Sequence, residues 1–201
     1  MSKVDSKLPY YGMEDDLFEK RVPLNGQITK REIRALTISL LQLSHKSVVW
    51  DIGSATGSVA IEASRIAING EIIAVEKDSK NISILKSNVS THNAHNVKII
   101  EGAAPDILYD LSSPDSIFIG GTGGQMDEII RYSSDRLMQD GIIVMNFASI
   151  ERSVKAYNLL KHQNMEASYM AVNISKGREL PDESLVLSPM NPVFIVQGKK
   201  Q

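Results

Sequence analysis

Two carboxylates and a turn of small residues have the types and spacing of a cofactor site. The apolar stretch from Val48 to Ile52, which contains Asp51, is typical of a central parallel strand, and it leads into a turn made of Gly53, Ser54, Ala55, Thr56 and Gly57. Glycines let the backbone approach a ligand at the N-terminus of the following helix. About twenty-five residues past Asp51, Glu76 ends a second apolar run, where a carboxylate can accept hydrogen bonds from ribose hydroxyls. This order predicts a site for a nucleotide-like cofactor.

The spacing of the small residues separates two classes of cofactor. A dinucleotide fingerprint needs G-x-G-x-x-G to seat a pyrophosphate on the helix N-terminus. Here Gly53, Ala55 and Gly57 alternate, with Asp51 two residues before the first glycine. This pattern resembles the D-x-G-x-G-x-G signature of class I S-adenosylmethionine-dependent methyltransferases. Ala55 stands where glycine is usual, so a positive φ at that position would strain the backbone and lower cofactor affinity.

A glycine turn also occurs where a strand simply has to turn into a helix, without any ligand. The acid at Glu76 disfavours that alternative, because it adds the second half of a cofactor site at the end of the next strand.

Composition and charge exclude several other classes of protein. A chain of 201 residues with 42% hydrophobic content is sufficient for one well-buried α/β domain. The net charge of −2 favours neither non-specific nucleic-acid binding nor membrane binding. The chain has no cysteine, and ligand spacing is lacking among His45, His92, His95 and His162, so no metal site is predicted. Since the sequence shows neither a signal segment nor an apolar run of membrane-spanning length, we expect a cytoplasmic protein.

Strands and helices alternate along most of the chain. Helical periodicity predicts a helix from about residue 30 to 43, behind a capping-box sequence from Thr29 to Glu32. Asp78 is the expected N-cap of a later helix. Further apolar runs predict strands at residues 97–101, 116–119 and 142–147, with another helix at about 150–163. Such alternation implies a parallel sheet with right-handed crossovers.

The C-terminal part departs from this alternation. Residues from about 166 to 175 and from 192 to 198 are two predicted strands with no helix between them, and they should pair antiparallel. A parallel sheet that ends in such a pair resembles the seven-stranded methyltransferase fold. We therefore expect an α/β fold, with a single Rossmann-like class I methyltransferase domain at residues 29–201. Its sheet should be mostly parallel and seven-stranded, with a C-terminal antiparallel hairpin.

Residues 1–28 are interpreted as an N-terminal arm. Large apolar side chains follow one another on this short segment: Tyr10, Tyr11, Leu17 and Phe18. Because the arm has no predicted helix of its own to bury them, we expect residues 10–24 to close over the pocket or to pack against another subunit.

A closer family resemblance comes from five stretches. They are residues 12–18 in the arm, 29–35 at the first helix, 51–58 with Ile61 and Glu62, 118–124 with its paired glycines, and 191–193 near the C-terminus. Together they resemble the cobalt-precorrin carbon-15 methyltransferases of cobalamin biosynthesis, which also decarboxylate the acetate on carbon 12. The arm and the paired glycines are the specific parts, since the cofactor turn is common to class I methyltransferases.

The resemblance implies S-adenosylmethionine as the cofactor, with contacts from Thr29, Gly53, Ser54, Ala55, Thr56, Gly57, Glu76, Ala103 and Ala104. It also implies a precorrin, a tetrapyrrole, as the substrate. A homo-oligomer, expected to be a tetramer, and a companion carbon-5 precorrin methyltransferase as functional partner follow from the same resemblance.

The substrate carries many carboxylates, so hydrogen-bond donors should surround its pocket. We expect them in the backbone N–H groups of the loop Gly120, Gly121, Thr122, Gly123 and Gly124, and in the side chains of Lys176 and Arg178. The alternatives are a flexible turn for the loop and solvated charges for the two cations.

The chemistry demands little of the side chains. Methyl transfer to a carbon of a conjugated macrocycle is an in-line displacement on a sulfonium, and the protein contributes mainly alignment and exclusion of water. Loss of the acetate carboxyl group can use the macrocycle as its electron sink. No general base is required, so no catalytic residue is assigned.

Two other functions are compatible with the same fold. One is a class I methyltransferase that acts on RNA or protein. Residues 191–194, Asn-Pro-Val-Phe, are similar to a motif of adenine methyltransferases, although that motif belongs after the fourth strand. The other is a non-catalytic binding subunit in which Ala55 marks a decayed cofactor site.

Overall fold

The computed structural model describes residues 9–21 and 28–201. Within these ranges the chain forms five α-helices and nine strands. The helices are α1 (Arg31–Leu40), α2 (Ser58–Ile66), α3 (Ser79–Thr91), α4 (Met126–Arg136) and α5 (Ile150–His162). The strands are β1 (Val48–Ile52), β2 (Glu71–Glu76), β3 (Val97–Glu101), β4 (Ser116–Ile119), β5 (Ile142–Phe147), β6 (Glu166–Val172), β7 (Ser175–Glu179), β8 (Leu185–Pro189) and β9 (Val193–Lys199).

Seven strands form one sheet in the order β3-β2-β1-β4-β5-β9-β6. The first five pair parallel, whereas β9 runs antiparallel to β5 and to β6. The chain therefore builds the sheet outward from β1 in one direction and then from β4 in the other. The predicted α/β methyltransferase sheet is confirmed, and it has a switch point between β1 and β4, where open α/β sheets bind ligands.

Each face of the sheet buries its own apolar layer. Successive residues of β1 point to opposite faces, so Val49 packs with α1, α2 and α3 while Trp50 packs with α4 and α5. The central strands are buried on both faces, which explains their continuous apolar sequences. The two layers hold the carboxyl ends of β1, β2, β4 and β5 at one edge of the molecule.

The C-terminal strands contain one element that the sequence did not predict. The antiparallel pairing of β6 with β9 is confirmed, but the predicted strand at 166–175 ends at Val172. The segment between them forms a separate hairpin in which β7 pairs with β8. Its residues lie outside the two core layers, and Leu185 and Leu187 are 72% and 70% exposed. No core-facing periodicity marks these strands because neither packs on the main sheet.

The N-terminal segment packs on the helices through buried charges. Of the predicted arm, residues 1–8 and 22–27 lie outside the described ranges. Arg34 and Glu62 are fully buried and pair at 2.7 Å between Nε and Oε1. The N–H groups of Gly12 and Met13 donate to the Glu62 carboxylate at 2.8 and 2.9 Å. Arg34 also donates to the carbonyl oxygen of Thr29. This cluster joins the arm to α1 and α2.

Phe18 is buried in its own chain, whereas Tyr10, Tyr11 and Leu17 are exposed, and the contact of the arm with the pocket or with another subunit stays a prediction. One expectation about this region is wrong. The predicted capping box does not form, because Lys30 is the N-cap of α1 and makes no side-chain cap hydrogen bond. Glu32 instead pairs with Lys176 of the hairpin at 2.6 Å. By contrast, Asp78 caps α3 as predicted, accepting from the N–H of Lys80.

Candidate active site at the switch point

A cavity of about 420 Å³ opens at the carboxyl edge of the sheet, between β1 and β4. Its walls come from the turn after β1, the end of β2, the loop after β4, the end of β5 and the start of α1. This volume is that of a site for one small molecule. The switch point of the sheet thus holds a preformed ligand site.

The turn after β1 needs the conformations that glycine adopts. Gly53, Ala55 and Gly57 have φ values of +76°, +47° and +76°. A Cβ atom at Gly53 would lie 2.7 Å from the backbone nitrogen of Gly121, so the turn and the loop after β4 contact each other through their backbones. Ala55 therefore occupies the left-handed region, which is the condition under which its side chain strains the backbone.

Glu76 joins the end of β2 to this turn. Its side chain is buried, and its Oε2 accepts a hydrogen bond from the N–H of Ala55 at 2.9 Å. Its Oε1 accepts from the N–H groups of Lys77 and Asp78 at 2.8 and 2.9 Å. A carboxylate oxygen can accept two hydrogen bonds, so Oε2 keeps one position for a ligand hydroxyl. Glu76 thus supports the turn and faces the cavity at the same time.

Asp51 lies below the turn and is only 1% exposed. Its Oδ2 accepts from the N–H of Ala60 at 3.1 Å, and its Oδ1 has no hydrogen-bond partner in the described ranges. Burial raises the pKa of this carboxyl from 3.8 to about 7, and the nearby charge of Glu76 acts in the same direction, against the hydrogen bond from the N–H of Ala60. Asp51 therefore titrates near neutral pH beside the cofactor turn.

The loop after β4 forms the second wall. Gly120, Gly121, Thr122 and Gly123 line the cavity. The N–H groups of Gly120 and Gly121 both donate to the carbonyl oxygen of Ile52, at 2.9 and 3.3 Å. These two donors hold the loop against β1, and the binding of substrate carboxylates by the N–H groups of the loop Gly120 to Gly124 stays a prediction.

The structure brings ten of the residues predicted from the sequence to the cavity: Thr29, Gly53, Ser54, Ala55, Glu76, Ala104, Gly120, Gly121, Thr122 and Gly123. Four others are close in sequence but are not part of its lining: Thr56, Gly57, Ala103 and Gly124. Lys176 and Arg178 lie on β7, exposed and outside the lining, and Lys176 is paired with Glu32. These two cations therefore do not line the cavity, and their contact with the substrate stays a prediction.

Sequence reasoning did not select several polar residues that line the cavity, among them Lys30, Lys77, Asn81 and Asn146. Asn146 donates from Nδ2 to Thr37 Oγ1 at 2.8 Å, which leaves its buried Oδ1 without a partner in the described ranges. The Oδ1 of Asn81 is likewise buried and unpaired there. The signal that would have selected Asn146 is a polar residue near the end of the apolar run 142–147.

Known proteins of one family are similar to this chain in sequence and in fold. The family described as precorrin methyltransferase domain matches residues 18–198. A relative from Sulfolobus acidocaldarius, named probable cobalt-precorrin-6B C(15)-methyltransferase (decarboxylating), is 36% identical over 194 residues, which cover 94% of this chain and 98% of the relative. The crystal structure of precorrin-6y C5,15-methyltransferase from Geobacter metallireducens matches with a TM-score of 0.90 and 36% identity, over 97% of this chain and 100% of that chain.

A longer relative contains this region as one part. The precorrin-6Y C(5,15)-methyltransferase [decarboxylating] of a Sinorhizobium species is 33% identical over 166 residues, which cover 83% of this chain and 38% of the relative.

The sheet order and the glycine-turn site define the chain as a methyltransferase with the class I fold. It belongs to the precorrin methyltransferase domain family. The family, fold class and enzyme class predicted from the sequence are confirmed, and the RNA or protein methyltransferase and the non-catalytic subunit are disfavoured.

Proposed function

We propose that this chain transfers a methyl group from S-adenosylmethionine to carbon 15 of a precorrin or cobalt-precorrin and removes the carboxyl group of its carbon-12 acetate as carbon dioxide. The observation that supports this most directly is the cavity with two dissimilar walls. One wall is the positive-φ turn beside Glu76. The other is the glycine loop, residues 120–124 after β4, which presents few side chains to a flat macrocycle.

The residues of the first wall fit S-adenosylmethionine. Gly53 and Ala55 expose the backbone to the cavity, Glu76 has acceptor capacity for a ribose hydroxyl, and the Oδ1 of Asn81 is a further unpaired acceptor. When bound, the cofactor supplies an electrophilic methyl group on a sulfonium. Thr29 and Lys30 stand at the start of α1 on the rim of the same cavity.

The chain's own residues orient the reactants and exclude water. A cavity of about 420 Å³ holds one small molecule, so the macrocycle covers the mouth of the cavity instead of entering it. The glycine loop is the surface on which it lies. The conjugated ring donates the electron pair to the methyl group and accepts the pair released when the carbon dioxide leaves, so no general base is assigned.

Turnover of a tetrapyrrole tests this proposal. Purified protein is incubated with S-adenosylmethionine and precorrin-6B or its cobalt form, and the product is analysed by mass spectrometry. We expect the gain of one methyl group and the loss of one carbon dioxide per macrocycle, with S-adenosylhomocysteine formed in equal amount. An unchanged tetrapyrrole with either form of the substrate would contradict the proposed function.

We also propose that the protein is cytoplasmic and acts as a homo-oligomer, with a tetramer as the expected form. Exposed apolar side chains of the arm and of the β7–β8 hairpin support an assembly. None of the helices in residues 9–21 and 28–201 has the length and apolarity to cross a membrane. The longer Sinorhizobium relative, named for both carbon 5 and carbon 15, supports a companion carbon-5 methyltransferase as the functional partner.

A further inference from the structure

Four of the groups expected to bind the substrate carboxylates have another partner or lie outside the cavity lining. The N–H groups of Gly120 and Gly121 donate to Ile52, and Lys176 and Arg178 lie on the separate hairpin. The whole chain has a net charge of −2, so a polycarboxylate needs local cations to bind. The candidates for this role are therefore other basic residues at the rim of the cavity that face the glycine loop, residues 120–124.

Lys77 reaches the loop from the end of β2. It follows Glu76, lines the cavity, and is exposed. A Cβ atom at Gly123 would lie 2.5 Å from the Lys77 Nζ, so the ammonium group occupies the space beside this glycine. Because β1 lies between β2 and β4, the Lys77 side chain spans the cavity mouth from the cofactor wall to the glycine loop.

Arg152 reaches the same loop from the opposite direction. It lies in the first turn of α5, and one guanidinium nitrogen donates to Thr122 Oγ1 at 3.2 Å. Arg152 is exposed and its guanidinium group has five N–H donors, so it keeps donors for a carboxylate.

Neighbouring cations are already neutralised. Lys30 pairs with Asp15 at 3.5 Å, and Lys155, one turn after Arg152, pairs with Asp127. Within residues 9–21 and 28–201, neither Lys77 nor Arg152 has an ion pair with a carboxylate. Two unneutralised cations thus flank the glycine loop on its two sides.

We propose that Lys77 and Arg152 bind carboxylates of the macrocycle and hold it over the glycine loop. This inference rests on the proposed function for the class of substrate, which is a tetrapyrrole polycarboxylate. Lys77 acts as a point charge, whereas Arg152 can form a bidentate pair with one carboxylate. The two contacts orient the macrocycle relative to the cofactor wall, while Glu76 and the glycine turn hold the cofactor independently.

Steady-state kinetics of Lys77→Gln and Arg152→Gln test the proposal. Each variant is expected to raise the KM for the tetrapyrrole about tenfold, the effect of one lost charge-assisted hydrogen bond, and to weaken the dependence of KM on ionic strength. The Kd for S-adenosylmethionine, measured by calorimetry, should change less than about threefold, and Arg152→Lys should recover part of the loss. Matched controls are Lys80→Gln, on the exposed first turn of α3, and Lys155→Gln, which removes a cation already paired with Asp127.

Two results would overturn the proposal. One is a tetrapyrrole KM within about twofold of wild type in both variants, and the other is a loss of cofactor affinity as large as the loss of substrate affinity. Fluorescence titration with an octacarboxylate porphyrin gives a readout that does not need turnover. If wild type binds this porphyrin and the two variants bind it about tenfold more weakly, the proposal that Lys77 and Arg152 bind carboxylates is supported. That conclusion stands even if no turnover is found and the proposed reaction is wrong. If porphyrin binding is absent, or equal in all proteins, the cation pair is wrong.

Discussion

At the scale of single residues, Glu76 has two roles that are separable by substitution. Its carboxylate accepts three backbone N–H groups and faces the cavity. Glu76→Ala is expected to weaken S-adenosylmethionine binding by roughly 1–3 kcal/mol, the range for a lost charge-assisted hydrogen bond, and to destabilise the turn at Ala55. Calorimetry measures the affinity.

Two controls accompany this prediction. Glu76→Gln keeps one acceptor oxygen and should lose less affinity than Glu76→Ala. Glu101→Ala removes the exposed acid that lies opposite Glu76 at the end of β3 and should leave the affinity unchanged. A folded Glu76→Ala protein with wild-type affinity would refute the assignment of Glu76 to the cofactor.

Asp51 makes the stability of the protein depend on pH. The unfolded chain releases the Asp51 proton near pH 3.8, whereas the folded protein keeps it until about pH 7, because burial disfavours the charged form. The folded state therefore binds more protons in this window, and the unfolding free energy falls as the pH rises through it. The contribution of this one group is on the order of 4 kcal/mol.

Denaturant unfolding without cofactor checks this pH dependence. Wild type should lose more stability than Asp51→Asn between about pH 4 and about pH 8, because the amide does not titrate. The exposed acid Asp135 gives the control Asp135→Asn, which should retain the wild-type slope. Parallel pH profiles for wild type and Asp51→Asn would show that burial does not shift this carboxyl.

At the scale of elements, the glycine loop and the glycine turn (residues 53–57) differ in how much space they leave for an added side chain. A Cβ at Gly121 meets its nearest neighbour, the Cα of Gly53, only at 4.0 Å, so added bulk at this position enters open space beside the cavity. Gly121→Val is expected to abolish tetrapyrrole turnover while S-adenosylmethionine binding stays nearly intact. Gly53→Ala is the contrasting variant, since its Cβ would lie 2.7 Å from Gly121 N at a positive φ, and it should lose both. If Gly121→Val weakened the binding of tetrapyrrole and of S-adenosylmethionine equally, the loop would not be the substrate-binding wall.

The buried pair of Arg34 and Glu62 fastens the arm to the first two helices. Arg34→Leu leaves the Glu62 charge buried without its partner, and we expect it to destabilise the fold by roughly 3–5 kcal/mol. The double variant with Glu62→Leu removes both charges. Its loss of unfolding free energy should therefore be smaller than the sum of the two single losses by up to about 3 kcal/mol. The exposed pair of Arg31 and Glu14 is the matched control, with an expected coupling under about 1 kcal/mol. Chemical denaturation gives all four values in each cycle, and additive losses at Arg34 and Glu62 would contradict the pairing.

At the scale of the whole molecule, assembly is the property to measure. Leu185 and Leu187 are 72% and 70% exposed and, two residues apart on β8, lie on one face of the hairpin. Light scattering is expected to give a mass well above the 22.2 kDa of one chain. Leu185→Ser combined with Leu187→Ser should lower that mass, because contact between copies would otherwise cover these side chains. Met138→Ser, at an exposed position after α4, is the control, and a monomeric wild type would reject the proposed homo-oligomer.

The sequence by itself determined the order of strands and helices from α1 to β6, the glycine turn, the position of Glu76 and the family. These features depend on local chemistry: apolar runs form the buried strands, and small residues mark the turn where the backbone takes a positive φ. Ala55 is the position that the sequence left open, and the structure gives it a left-handed conformation. The resemblance to the family also came from contiguous stretches of the chain.

Only the tertiary structure decided which charged groups meet. Glu32 was expected to cap its own helix but pairs with Lys176, because the separate hairpin brings that cation to the start of α1. Likewise Lys176 and Arg178 do not line the cavity, whereas Lys77 and Arg152 flank the glycine loop from the end of β2 and the start of α5. Long polar side chains have no periodicity that marks their partners, so their contacts depend on where the packed elements place them.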